Sequence, residues 1–261
     1  MPTQIGVTML PEPVVRQGTT AHLDAPAETR CTLLASGEEV TIVDGHAILP
    51  EGLLAVPADA FRGDDSIVAV TLPVGVMKIG RNAFEGCASL EDVVMPESVT
   101  RICEHAFDGC IALTDAPIAP SVTVIGDSAF RGCISLTTLL VPPLVREIGW
   151  HAFDGCASLM DVYIPPSVTQ IGGFAFLGCA LTTVSIACET QIAPQSFDGH
   201  TRIRREPIAR WHHEVTQFLP KFEGALGFRP YARQVCLPAC ARFRMRRSHE
   251  NRSCFGATSF E

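Results

Sequence analysis

"WHAFDGCASLMDVYIPPSVTQIG", residues 150–172, is the stretch whose reading decides the fold. Alone it shows aromatics, a cysteine, unevenly spaced apolar residues and two prolines. Laid over the rest of the chain, it is one copy of a unit. Ala-Phe recurs at Phe61, Phe84, Phe107, Phe130, Phe153 and Phe176, every 23 residues. A strict period of this length marks a solenoid or an array.

Each copy repeats the same pattern. Gly-Cys follows Ala-Phe in five copies, placing Cys87, Cys110, Cys133, Cys156 and Cys179 in one column. An apolar trio comes next, as Leu90/Val93/Met95 and Leu159/Val162/Ile164 show. The last two of each trio alternate as a strand with one buried face should. Proline ends that strand at Pro73, Pro96, Pro142 and Pro165, because it has no N–H for the ladder. Val-x-x-Ile then closes the unit. The glycines after it, Gly80, Gly126, Gly149 and Gly172, are expected to turn the chain with a positive φ. No unit can bury its apolar set alone; stacked neighbours bury it jointly, about 4.8 Å apart.

The ends of the array degrade. Leu49, Pro50, Leu53 and Val56 lie one period before Leu72, Pro73, Val76 and Ile79, so a partial coil begins near Thr41. Leu181 arrives one residue early, and Phe197 follows Phe176 by 21 residues, which makes a last, irregular coil ending near His200. Three segments follow: residues 1–40 as an N-terminal cap or irregular segment, 41–200 as the solenoid, and 201–261 as a basic, partly helical or disordered tail. Strands within "TRCTLLASGEEVTIV" are expected to cover the open edge of the array.

The recurring wording Leu-x-x-Val-x-Ile-Pro-x-Ser-Val-x-x-Ile-Gly-x-x-Ala-Phe resembles the BspA-like leucine-rich repeat family. The resemblance covers about residues 41–200. It implies an α/β, right-handed, β-rich leucine-rich-repeat solenoid with short strands stacked into a parallel sheet. Members of the family are mostly interaction proteins, known from bacterial surface proteins and from large protist families. No catalytic residue belongs to the repeat, so the resemblance implies a non-enzymatic chain without a cofactor.

The remaining features bound the function. Eight basic against 23 acidic residues leave positions 1–200 at −15, and twelve against five leave 201–261 at +7. This reads as a basic appendage on an acidic body. No apolar run reaches about 18 residues, so no spanning helix is expected. The start lacks the pattern of a secretory signal, which points to the cytoplasm.

The cysteine column reads as packing, with metal binding or disulfides as the rival reading. His105 and His151 share a column two coils apart and read as turn histidines. In the tail, "IARWHHEVTQFL" has the pattern of a short amphipathic helix. Cys236, Cys240, His249 and Cys254 are zinc-capable types at loose spacing, and no metal site is assigned. Arginine clusters at 202–205 and 242–247 leave open nucleic-acid binding or, with an acidic body beside them, association of tail with solenoid; a nucleic-acid partner is not expected.

Binding is expected on the strand face. One outward column reads Thr71, Val94, Pro117, Leu140, Tyr163 and Ser185, and its neighbour reads Ala69, Asp92, Asp115, Thr138, Asp161 and Thr183. An apolar stripe edged by acid suits a protein segment with an apolar anchor and basic flanks. The candidate partner-binding residues are Val94, Leu140, Tyr163, Asp92, Asp115 and Asp161. The expected function is a protein–protein interaction scaffold without a small-molecule substrate. A surface or secreted adhesin, and a targeting arm with a nucleic-acid-binding tail, are the alternatives.

Overall fold

The computed structural model describes residues 29–33, 37 and 39–207, with side chains at 37 and 39–207. The chain first forms β1 (Thr29–Leu33), β2 (Glu39–Val43) and β3 (His46–Ile48). β1 and β2 pair antiparallel, and so do β2 and β3. Two-residue strands and longer ones then alternate: β4 (Ala55–Val56), β5 (Ala69–Thr71), β6 (Lys78–Ile79), β7 (Asp92–Val94) and β8 (Arg101–Ile102). The series continues with β9 (Val124–Ile125), β10 (Thr138–Leu140), β11 (Glu147–Ile148) and β12 (Asp161–Tyr163). It ends with β13 (Gln170–Ile171), β14 (Thr183–Ala187), β15 (Gln191–Ile192) and β16 (Arg202–Glu206).

Every strand from β3 onward pairs parallel with its counterpart one coil away. The two-residue strands form one unbroken sheet, β15-β13-β11-β9-β8-β6-β4. The longer strands form a second face in pieces: β1-β2-β3-β5-β7, then β10-β12, then β14-β16. The break after β7 has a chemical cause. In that coil Pro117 stands where a ladder N–H is needed, and only Asp115 bridges onward, to Thr138. A third hydrogen-bonded edge runs along the Ala-Phe corner. There each phenylalanine N–H donates to the alanine carbonyl of the next coil at 2.8 Å, from Phe61–Ala83 through Phe153–Ala175. The antiparallel β1-β2 hairpin covers the first parallel rung, as "TRCTLLASGEEVTIV" suggests.

The interior is the periodic set. The side chains of Phe61, Phe84, Phe107, Phe130, Phe153, Phe176 and Phe197 form one continuous stack. Their ring centroids are 5.0–5.3 Å apart and their planes within 10°. Phe197 joins it despite its shortened spacing, so the last irregular coil belongs to the array. The strand face runs on to β16, whose residues pair with β14.

Two expectations are corrected. The first is the α/β label: the described residues contain strands and turns but no helix, and the fold is a parallel β-solenoid of about seven turns. The reason lies in two left-handed residues per coil. Asn82, His105, Ser128, His151 and Phe174 have φ of 53–59°, and Gly86, Gly109, Gly132, Gly155 and Gly178 follow four residues later with φ of 67–75°. The right-handed run between them is too short to close a helical turn and continue.

The second correction concerns Gly80, Gly126, Gly149 and Gly172, none of which has a positive φ. They are glycines because backbone lies against them. A Cβ on Gly172 would fall 2.5 Å from the Trp150 nitrogen and 2.6 Å from the Gly149 carbonyl carbon. Cys103 occupies the same column, and its N–H reaches Ile79 O at 3.1 Å where the glycine rungs hold 2.8–2.9 Å. A side chain there is accommodated by opening the rung. We therefore expect Gly172→Ala to destabilise by about 1–3 kcal/mol, as overpacking does, with unchanged strand content by circular dichroism. A melting temperature equal to that of the parent would refute the close-approach reading.

Candidate functional site

The strand face is built by register. Thr71 lies beside Val94, and Ala69 beside Asp92. Leu140 lies beside Tyr163, and Thr138 beside Asp161. Both outward columns are therefore real neighbours down each sheet piece, but the Pro117 coil separates Asp92 and Val94 from the rest. Val94 is 53% exposed, and Asp92 and Asp161 are exposed. Leu140, Tyr163 and Asp115 are half-buried. The apolar stripe is less open than the sequence implies, because in-register side chains shield one another. At its N-terminal end the stripe extends to Ile48, 52% exposed. Beside it, His46 Nε2 and Thr71 Oγ1 are 2.8 Å apart.

At the other end, the "RIRR" cluster is the strand β16. Arg202, Arg204 and Arg205 are exposed. Arg205 Nη1 donates to the carbonyls of Cys188 and Thr190 at 2.9 and 3.1 Å, tying the last strand to the preceding turn. This arginine has a structural task that its place in a basic run does not suggest.

The cysteine column is packing. All five thiols are buried and free. Each Sγ donates to the carbonyl of the phenylalanine in the previous coil at 3.0–3.3 Å, Cys87 to Phe61 through Cys179 to Phe153. Burial raises every thiol, Cys87 and Cys179 to about 12. Buried thiols held as thiols are poor nucleophiles and poor metal ligands. Among the described residues, no group of three or more His, Cys, Asp or Glu is placed to hold a metal ion.

His105 and His151 each lie 2.9 Å, at Nδ1, from the carboxylate three residues on, Asp108 and Asp154. Both side chains thus brace a left-handed corner within their own coil. The helix pattern at 208–219, the arginines at 242–247 and the set Cys236, Cys240, His249 and Cys254 lie outside the described residues.

One feature escapes periodic reading. Beside Trp150 runs an open groove of about 320 Å³ along β11, β13 and β15. Its floor is Gly149 and Gly172, and Glu147, Gln170 and Gln191 line it at successive rungs. Trp150 is 53% exposed. The column it occupies otherwise reads Ala58, Arg81, Glu104, Asp127, Gly173 and Pro194. The sequence signal is that lone aromatic, which an analysis of what repeats passes over.

A stacked parallel ladder with a repeated interior and a variable outer face defines a solenoid of the leucine-rich-repeat class. The chain belongs to the BspA type leucine rich repeat family, whose six-copy repeat model matches residues 46–156 and 77–204. Among solved structures it is similar to a leucine rich repeat protein of T. pallidum, TpLRR. The identity is 30%, over 62% of this chain and 87% of that one, with a TM-score of 0.50. It is also similar to a leucine rich cell surface protein of Faecalibacterium prausnitzii, at 28% identity and a TM-score of 0.56. That match covers 70% of this chain and spans 56% of the other. No curated protein sequence matches the chain. Proteins of this family are generally interaction or surface proteins, and none of the described helices, there being none, crosses a membrane.

Proposed function

We propose that the chain is a non-enzymatic interaction module that holds a protein partner on its strand face, between Asp92 and Tyr163. One observation carries this reading: exposed Val94 and Asp92 share one outward strand face, and exposed Asp161 returns at the same repeat position three coils on. An apolar anchor flanked by basic residues is the complementary partner chemistry. The test is affinity capture from the source cell, followed by a dissociation constant for the recovered partner. Val94→Asp combined with Asp92→Lys and Asp161→Lys changes exposed positions only, so the melting temperature should hold. Binding should weaken at least tenfold, about 1.4 kcal/mol. Equal affinity of parent and variant would place the partner elsewhere.

We propose that this module works in the cytoplasm, where a reducing compartment would keep its eleven cysteines as thiols. A surface adhesin of the same fold is the second reading, favoured by the F. prausnitzii relative being a cell surface protein. Antibody labelling of intact against permeabilised cells separates the two.

A further inference from the structure

We propose that the groove beside Trp150 is a carbohydrate-binding site that takes a pyranose ring. The site lies on the sheet of two-residue strands, a different hydrogen-bonded edge of the coil from the strand face, and stands independently of the proposed protein-binding role.

The platform is held in place before any ligand arrives. The backbone N–H of Trp150 donates to Asp127 Oδ1 at 2.7 Å, and its backbone carbonyl accepts the Ser128 N–H at 2.7 Å. The indole edge leans over Gly173, where a Cβ would fall 2.7 Å from Cζ3 and 2.9 Å from Cε3. Gly173 is therefore the space the indole occupies. Phe174 supports the ring from the next coil at a centroid distance of 6.5 Å. Trp150 is 53% exposed and is one of the residues that line the groove. An indole already packed against its neighbours costs little ordering entropy on binding, and its face suits the C–H face of a sugar ring.

The polar lining decides the ligand class. Glu147 offers a carboxylate, and Gln170 and Gln191 offer amides, at consecutive rungs about 4.8 Å apart. Amides both donate and accept, as sugar hydroxyls do, so successive hydroxyls on one ring edge can each be matched. An arginine or lysine side chain would stack on Trp150 and pair with Glu147, but it only donates and would leave the amide N–H groups unanswered. A volume of about 320 Å³ lies at the small end of the roughly 300–1,000 Å³ typical of ligand sites. That suits one or two sugar rings, not a long chain.

The experiment titrates the full chain with methyl glycosides of glucose, galactose, mannose and N-acetylglucosamine and with their β-linked disaccharides, reading tryptophan fluorescence. Trp211, the other tryptophan, sets the background, measured in Trp150→Ala. At least one probe should bind in the millimolar range, with saturable quenching. Trp150→Ala should lose binding at least tenfold, Trp150→Phe should retain most of it, and Gln170→Ala should weaken it severalfold. Should Trp150→Ala fold poorly, the Gln170→Ala/Gln191→Ala double variant carries the test, with calorimetry as the readout. Absence of binding by every probe up to about 50 mM, or equal binding by Trp150→Ala, overturns the proposal. So does an arginine-rich peptide that quenches Trp150 where no sugar does.

Discussion

Phe130→Ala is expected to destabilise the solenoid by about 3–5 kcal/mol, a fall of roughly 10 °C in melting temperature for a domain of this size. Phe130 is fully buried. It stacks on Phe107 at 5.2 Å and on Phe153 at 5.3 Å, so truncation removes two ring contacts and opens a void in mid-stack. Its backbone is also a crossing point: the N–H donates to Ala152 O at 2.8 Å, and the carbonyl accepts the Cys156 thiol at 3.2 Å. In a quasi-one-dimensional fold, stability is a sum of coil and nearest-neighbour terms, so position along the stack matters. Phe197 stacks on Phe176 at the C-terminal end and is 8% exposed; Phe197→Ala should cost clearly less. The central variant should also broaden the urea transition, because the two halves lose their coupling. Equal losses at positions 130 and 197 would mean that the stack does not transmit order between coils.

The interior of this molecule is legible in the sequence because the same side chains return to the same place. The phenylalanine stack, the cysteine column, the strand register and the partial first coil all follow from one period. What is not legible falls into two kinds. The first is physical ambiguity at a repeated position. A glycine serves a left-handed turn and a close backbone contact equally well, so Gly126 and Gly172 look alike under either reading. Cys103 in the same column was the available clue, since a left-handed position rarely tolerates it. The left-handed residues are instead His105, Ser128 and His151, types whose conformation the repeat conceals. The same hidden corners explain why the coil has no room for a helix. The second kind is the single departure. Pro117 splits the strand face, and Trp150 raises a groove wall, each by differing from its column. Period-based reading retains what columns share, and specificity on a scaffold resides in what they do not share.

The cysteine column also predicts a steep alkaline limit to stability. Burial is the leading cause that raises each thiol from its ordinary value of 9.0, with Cys87 and Cys179 at about 12, Cys110 and Cys156 higher still, and Cys133 well above its ordinary value. Between pH 9 and about 12 the native chain keeps protons that the unfolded chain gives up, so stability falls as pH rises. The contribution is intact below pH 9 and is lost progressively above it. At pH 10 each thiol costs about 1–2 kcal/mol, and five together roughly 7 kcal/mol. A typical domain has only about 5–15 kcal/mol in total, so the solenoid should unfold near pH 10–11. The chain's two lysines and two tyrosines titrate about a unit higher, while six further cysteines share the window, among them Cys103, which burial also raises. Urea midpoints at pH 8, 9 and 10, followed by circular dichroism, measure the slope. Replacing all five cysteines by serine keeps a donor for each phenylalanine carbonyl but removes the titration. That variant should be less stable at neutral pH and much flatter to pH 10, with a residual slope from Cys103. A parent protein whose midpoint does not move over this range would show that its thiols ionise as freely in the folded state as in the unfolded one, and so that the column is open to water.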